Sequence, residues 1–511
     1  MNKKDREALK VVSQRCRDGL KEGELLSADK ITDLETVLNA LDIFLGTIRA
    51  TSANSSLPPS ADIGRQTKKR PKSTRQSGGQ PGHTGATLDF VKHPDKIEVI
   101  QMDVPPGYKE VGYESRQVTN IIIKREVTEY RATVYEDGRG HRIVAPFPEG
   151  VTNKTQYGTS VKAAVTYASA AQLLPYNRIP EVLSEAGINL SEGTVFNFLE
   201  KAYEELEGFE RWAMFSLLNA DLVHFDETGI RVSGSRQWLH VASDPFVTLF
   251  MPHHKRGQEA MDAMGILPLF NGIAVHDFWP PYFKYSCQHS VCLAHIDREL
   301  TACNERDNSQ WSLRMQEFLQ ETNKEKQEGK LTAEIIEAKM REYDDILKQA
   351  DEECPPIPPG KEKKRGRVAQ GKSRSLVNRL REYKSEVLRF MTNPDVPFTN
   401  NQAERDVRMT KVQQKVSGCF RSMNGARHFC RIRSYISTCK KNGVSAIEGI
   451  KALYNGKLPK FIHLEQVPED FMSISLPNAK PPPQEEETPE DEGSAANGET
   501  SGEVTQDSSE T

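Results

Sequence analysis

Three carboxylates in this chain stand where a divalent cation could be shared. Asp226 lies in LVHFDETG, Asp277 in GIAVHDFWPP and Glu404 in PFTNNQAERDVRM. Each aspartate ends an apolar, strand-like run just before a turn signal, which holds the side chain rigid while it faces a cleft. Two such strands side by side would bring both acids to one ion, and a helix packed on the sheet would add Glu404. Three carboxylates suit Mg2+ or Mn2+, hard ions that take oxygen ligands and keep water positions open. Two such ions roughly 3.5–4 Å apart activate an attacking hydroxyl and stabilise the leaving oxygen in phosphoryl transfer. Taken singly, each acid has an ordinary use as well. An Asp at a strand end serves as a turn or cap residue, and a lone Glu in a basic helix serves as an ion-pair partner.

The helix that would carry Glu404 is cationic. At about 100° per residue, Arg408, Lys411 and Lys415 fall within roughly 60° of one another and of Glu404. One stripe then presents the acid first and three cations after it, so that the cations hold phosphates along a strand beside a metal-bound acid. Asn400 and Asn401 precede the helix, and either suits its cap. Arg421 closes the same run.

Other chemistry-bearing residues lie nearby. CQHSVCLAHIDREL offers Cys287, His289, Cys292 and His295, a composition that invites zinc. The run reads as a strand, however, where alternate residues point to opposite faces, which argues against one shared ion. Cys292 and His295 then serve core packing or orient the active site. Arg298 meets a phosphate or pairs with Asp297 or Glu299. Trp279, after Asp277, stacks on an unpaired base or anchors its loop.

The elements that must position these residues follow along the chain. Residues 1–50 read as a helical segment and 51–90 as a flexible linker. In the linker, RQTKKRPKSTRQ, with Lys68, Lys69 and Arg70, puts six positive charges in twelve residues. Residues 91–155 alternate β-branched and polar types and read as a small β-rich module. Residues 156–215 read as helix, a turn at Gly187, an N-cap at Ser191 and a second helix, which fits a helix-turn-helix or an ordinary helical hairpin. Over 216–300 three strands, a helix and further strands give the order of a ribonuclease-H-like α/β core. Residues 301–395 read as a helical insertion, 396–445 as the helix completing the core, 446–480 as a C-terminal segment, and 481–511 as a disordered acidic tail.

Charge points to a polyanion. The chain has 511 residues and a net charge of -4, yet its last 31 residues hold ten Asp/Glu and no Lys/Arg, leaving +6 on residues 1–480. Between Lys361 and Lys441 there are 21 Lys/Arg against 6 Asp/Glu. A basic body with an acidic tail suits nucleic acid, although a solvated basic surface has the same composition. No apolar run approaches the roughly 20 residues of a membrane span, and MNKKDREALKVVSQRCRDGL lacks a signal-peptide core. A cytoplasmic protein with reduced thiols is expected, because after Cys16 the next cysteine is Cys287.

The wording around the acids is specific. HFDETG, VHDFWPPYFKY, CLAHIDREL and PFTNNQAERDVRMTKVQQKVSGCFRS, followed by IRSYISTCKKNG, resemble the insertion-sequence 66 transposase family of bacterial mobile elements. GGQPGHTG, APFPEGV, QYG, QLLPYNRIPEVL and LSEGTVFNFL match the same family upstream, in the same order, so the resemblance spans about residues 78–455. It implies a DDE-type DNA transposase with a ribonuclease-H-like fold, a divalent metal (Mg2+ or Mn2+) and a triad of Asp226, Asp277 and Glu404. It also implies terminal inverted repeats and target DNA as substrates, an oligomer on DNA, and companion proteins of the element. Cys292 and His295 match a Cys-x-x-His feature of the family. One departure stands out: the family's small β module carries cysteine pairs read as a zinc site, and this module has none. His93 and His141 alone do not supply the four ligands of structural zinc, so a metal-free module held by its own core is expected. The missing cysteines leave open a DNA-binding remnant that no longer cuts; a stand-alone ribonuclease-H-like nuclease is a further reading.

Overall fold

The computed structural model describes residues 88–480, apart from 104, 110, 122 and 358–369. The N-terminal helical segment, the basic linker with Lys68, Lys69 and Arg70, and the acidic tail fall outside the described residues. Among the described residues, no helix is long and apolar enough to cross a membrane.

The expected β-rich module is the largest departure from the sequence reading. Its described regular structure is one antiparallel pair, β1 (Val134–Glu136) and β2 (Arg142–Val144). Asp137 closes their turn, its carboxylate accepting the backbone N–H groups of Arg139 and His141. Ile100, Val111, Ile121 and Ile123 all lie exposed, so the described residues of this region have no core of their own. β-branched alternation marks chain that fits a half-buried pleated surface, and here no second layer supplies that surface.

The helices that follow bury one face each. They are α1 (Thr159–Thr166), which runs into a π-helical turn, α2 (Arg178–Ser184), α3 (Glu192–Glu205) and α4 (Glu207–Leu218). Gly187 takes a left-handed φ of 73°, and the Ser191 hydroxyl caps α3 by accepting the Thr194 N–H at 3.2 Å. The expected helix–turn–helix outline is therefore present. However, α3 turns Val195, Leu199, Ala202 and Tyr203 into the core and leaves Glu192, Glu204 and Glu205 outside against Lys201. That face carries three carboxylates against one amine, a charge balance that does not favour phosphate.

A five-stranded mixed sheet follows. Its strands are β3 (Leu222–Val232), β4 (Ser235–Ser243), β5 (Thr248–His253), β6 (Ile273–His276) and β7 (Gln288–Val291), with α5 (Gln258–Met264) between β5 and β6. The order across the sheet is β5-β4-β3-β6-β7. β4 runs antiparallel to β3 and β5, whereas β6 and β7 run parallel to β3. Gly272 lets the chain enter β6 beside β3: a Cβ there would sit 2.7 Å from the carbonyl oxygens of Ala220 and Asp221. Gly272→Ala is expected to cost about 1–3 kcal/mol by overpacking, read as a lower midpoint in urea; an unchanged midpoint would show that this crossing is loose.

Helices α6 (Leu293–Asp307), α7 (Gln310–Gln327), α8 (Ala333–Glu353), α9 (Lys372–Glu382) and α10 (Lys384–Thr392) share a separate core. Trp311, Phe318, Tyr343, Leu380 and Phe390 lie in it. α10 also covers the sheet edge, where Arg389 Nε donates to the His289 carbonyl on β7 at 2.7 Å. Then come α11 (Asn401–Ser417), α12 (Met423–Lys441) and α13 (Ala446–Tyr454). α11 lies on one face of β3 and β4, burying Ala403 and Val407 against Ile230, Leu239 and Phe250. α12 reaches the other core, with Ile432 and Tyr435 beside Val223, Phe225 and the N-terminal helices.

Candidate active site

Asp226 sits within a strand and not at its end. β3 pairs with β6 only over Leu222–His224, yet stays paired with β4 as far as Val232. Thr228-Gly229, which reads as a turn, is strand. The turn falls at Ser233-Gly234, where both residues have positive φ, the signature of a tight hairpin. Gly229 is a docking point for α11: its carbonyl accepts Lys411 Nζ and Gln414 Nε2, each at 2.9 Å. Once β6 has stopped, the β6 side of β3 has no strand partner until the bridge between Val232 and Phe420, which leaves a notch. Asp226 lies in this notch, and Asp277 follows directly after His276, the last residue of β6.

Glu404 arrives in the first turn of α11. Asn400 occupies the N-cap position, but its side chain does not cap the helix. Instead it is buried against β3, where Oδ1 accepts from His224 Nδ1 at 2.7 Å and Nδ2 donates to the Phe225 carbonyl at 2.7 Å. Its backbone N–H donates to Cys292 Sγ at 3.2 Å. Asn400 thus fixes α11 one residue from Asp226, while Asn401 is exposed. Glu404 Oε1 is buried and has no hydrogen-bond partner.

The fold brings Asp226 into the fields of Asp277 and Glu404. Burial pushes Asp226 well above the usual carboxylate range, and Glu227, Asp277 and Glu404 push it further; the Glu227 N–H opposes them in part. Burial likewise raises Asp277 to about 7, with Glu227 adding to the shift, while Arg256 and the Trp279 N–H pull it back. Sequence reasoning missed Glu227, Arg256 and Tyr282. Glu227 lies on the opposite face of β3 from Asp226. Its Oε1 accepts Arg256 Nε at 2.7 Å, and its Oε2 accepts the Tyr282 hydroxyl at 2.6 Å. Arg256 also stands 3.9 Å from Asp277 Oδ2. The available signal was alternation itself, which puts the residue after Asp226 on the core side and so calls for a cation there.

The remaining candidates divide. Arg408, Lys415 and Arg421 are exposed, whereas the Lys411 amine is engaged by Gly229. Trp279 anchors its loop: the Arg256 guanidinium covers its ring at 4.1 Å. Glu299 pairs with Arg379, and Asp297 accepts from Gln316 and Gln320, so neither is the partner of Arg298. Cys287 is buried 3.9 Å from His289, and His289 bonds the buried His276 at 3.0 Å. The expected strand over 289–296 ends at Val291: Cys292 is the N-cap of α6, and His295 lies in its first turn. Both therefore face the same side, and with Glu404 they form a close group.

Chemically, Asp226 stands in the field of Glu227, Asp277 and Glu404, and Arg256 is the cation that compensates Glu227 and Asp277. The raised Asp226 and Asp277 carboxyls suit the approach of a cation. Asp277 gives a direct test of the crowding. Its folded pKa of about 7 stands above the roughly 3.9 of an unfolded aspartate. Between those values the folded chain holds a proton that the unfolded chain has lost, so stability falls as pH rises through that window. In EDTA, Asp277→Asn is expected to melt with the wild type at pH 4 and to be more stable by about 1–3 kcal/mol at pH 8. Coincident melting at both pH values would contradict the crowding.

The class is thus a mixed α/β protein with an acidic notch at the carboxyl ends of its central parallel strands. A model of the transposase IS66 family matches residues 154–428, and the chain belongs to that family. A 70-residue stretch is also 34% identical to the "Uncharacterized protein y4jO" of Sinorhizobium fredii (strain NBRC 101917 / NGR234), covering 14% of this chain and 22% of that protein.

Proposed function

We propose that this chain is a DDE-type DNA transposase that binds the ends of an insertion sequence, cuts there and transfers the strand, with Asp226, Asp277 and Glu404 as its triad. The convergence of these acids from β3, the end of β6 and the first turn of α11 carries the reading. A sheet ordered β5-β4-β3-β6-β7 with β4 antiparallel supports a ribonuclease-H-like core, and membership of the transposase family supports DNA as the substrate.

Asp226, Asp277 and Glu404 would hold Mg2+ or Mn2+, which when bound lowers the pKa of an attacking hydroxyl and offsets charge on the phosphate. The chain's own residues do the rest. Asn400 and Lys411 hold α11 on β3 and so fix Glu404 against Asp226. Arg256 limits the repulsion between Glu227 and Asp277. Arg408 and Lys415, exposed along α11 beyond Glu404, are the cations available to backbone phosphates. In the first step water attacks phosphorus at the element end and the leaving 3′-oxygen takes up a proton. In the second, that 3′-hydroxyl attacks a target phosphodiester and releases the target's own 3′-oxygen. Terminal inverted repeats, an oligomer on DNA and companion proteins of the element belong to the same proposal.

The test incubates the purified full chain with Mg2+ and a labelled duplex carrying the element's own end, beside an RNA–DNA hybrid. Nicking at the element end supports the proposal. Cleavage of the hybrid alone would make the chain a ribonuclease-H-like nuclease, and duplex binding without nicking would make it a DNA-binding remnant.

A further inference from the structure

Glu404 also belongs to a group of ligating side chains with a different chemical character. One ligand atom from each of Cys292, His295 and Glu404 lies within 4.8 Å of the other two. Ligand atoms on a tetrahedral zinc stand roughly 3.5 Å apart, as bond lengths of about 2.0–2.3 Å require. Closing on an ion therefore asks at most about an ångström of side-chain movement.

Two further observations point to a ligand. His295 Nδ1 and Glu404 Oε1 are both buried, and neither has a hydrogen-bond partner. Buried polar atoms are rarely left so, because each forfeits its hydration without return. The third member, Cys292 Sγ, is buried and accepts the Asn400 N–H, a bond that also suits a thiolate. The backbone builds the group from both sides: Cys292 and His295 face one way from the start of α6, and the first turn of α11 sets Glu404 opposite.

We propose that Cys292, His295 and Glu404 form a binding site for a borderline-soft divalent ion of the zinc class. Thiolate, imidazole and carboxylate together select zinc over magnesium, which takes oxygen ligands almost alone. The fourth position is left to water, as in zinc sites with three protein ligands. Burial pushes the Cys292 thiol up to about 11, so ligation releases its proton to solvent and zinc binds more tightly as pH rises. The site shares Glu404 with the proposed triad and goes beyond it through Cys292 and His295; ion binding is read without DNA, so its failure is distinguishable from failure of the transposase reading.

The experiment uses the full chain, reduced and stripped of metal. Zinc retained after dialysis is measured, and Co2+ is added as a spectroscopic substitute. The expected result is one equivalent of ion and a thiolate-to-cobalt charge-transfer band that Cys292→Ser abolishes and Cys287→Ser leaves intact. His295→Ala and Glu404→Gln are expected to weaken retention by at least about 100-fold, and Asp226→Asn to leave the band in place. Circular dichroism shows that each variant is folded; were Cys292→Ser unfolded, His295→Ala and Glu404→Gln would decide. Absence of the band, or a band surviving loss of Cys292, His295 or Glu404, would overturn the proposal.

Discussion

Glu404→Gln is expected to abolish Mg2+-dependent nicking of an element end, a loss of at least about three orders of magnitude, while duplex binding stays close to wild type. The substitution keeps the shape of the side chain and removes one negative charge from the group around Asp226. It should not disturb the helix that carries it. α11 is held to β3 by the Asn400 bonds to His224 and Phe225 and by the Lys411 and Gln414 bonds to Gly229, and Glu404 takes part in none of these. Exposed Arg408, Lys415 and Arg421 are also unchanged, so phosphate binding persists. Asp226→Asn and Asp277→Asn should behave alike, because each acid would hold the same cations. Gel shift and nicking assays on one preparation separate the two properties. Cleavage that survives any of the three substitutions would sink the triad assignment, and loss of binding along with cleavage would mean that the substitution acted on the fold.

How much of this was legible in the sequence depended on what each residue answers to. The strand order was readable because β3, β4 and β5 alternate or run apolar between clear turns. Cys292 was misread because HSVCLAHI continues apolar across the strand–helix junction, and periodicity does not distinguish a buried strand from the first turn of a buried helix. Asp226 was placed at a strand end because Thr-Gly is a turn signal, yet Gly229 lies inside β3, where its carbonyl accepts Lys411 and Gln414 from 182 and 185 residues along the chain. Contacts of that range leave no local mark. The acids were found by residue type and wording, but Arg256 was not. Its importance comes from a loop that returns it to Glu227 and Asp277, and nothing in HHKRG announces that.

Far from the notch, a buried ion pair should dominate stability. Glu210 on α4 is fully buried, and its Oε2 accepts Arg431 Nε from α12 at 2.5 Å. Arg431 also donates to the Tyr203 carbonyl at 2.9 Å and lies 3.9 Å over the Tyr203 ring. The other Glu210 oxygen accepts both the backbone N–H and the side-chain amide of Asn478, tying the C-terminal segment to α3, α4 and α12. Burial outweighs the guanidinium and holds Glu210 above the usual carboxylate range, so taking the charge out of water costs more than its pairing returns. Removing one partner leaves the other charge uncompensated. Glu210→Ala and Arg431→Ala are each expected to cost about 3–5 kcal/mol, read from urea midpoints. The joint replacement Glu210→Leu with Arg431→Met should recover most of that loss, because an apolar pair of similar volume has no charge to desolvate. Single substitutions costing under about 1 kcal/mol would show that water reaches the pair, and a joint replacement as costly as the two singles together would place the stability in the Asn478 and Tyr203 bonds. Because α12 carries Arg431 on one side and packs beneath β5 on the other, loosening this pair should also loosen the sheet on which Asp226 is held.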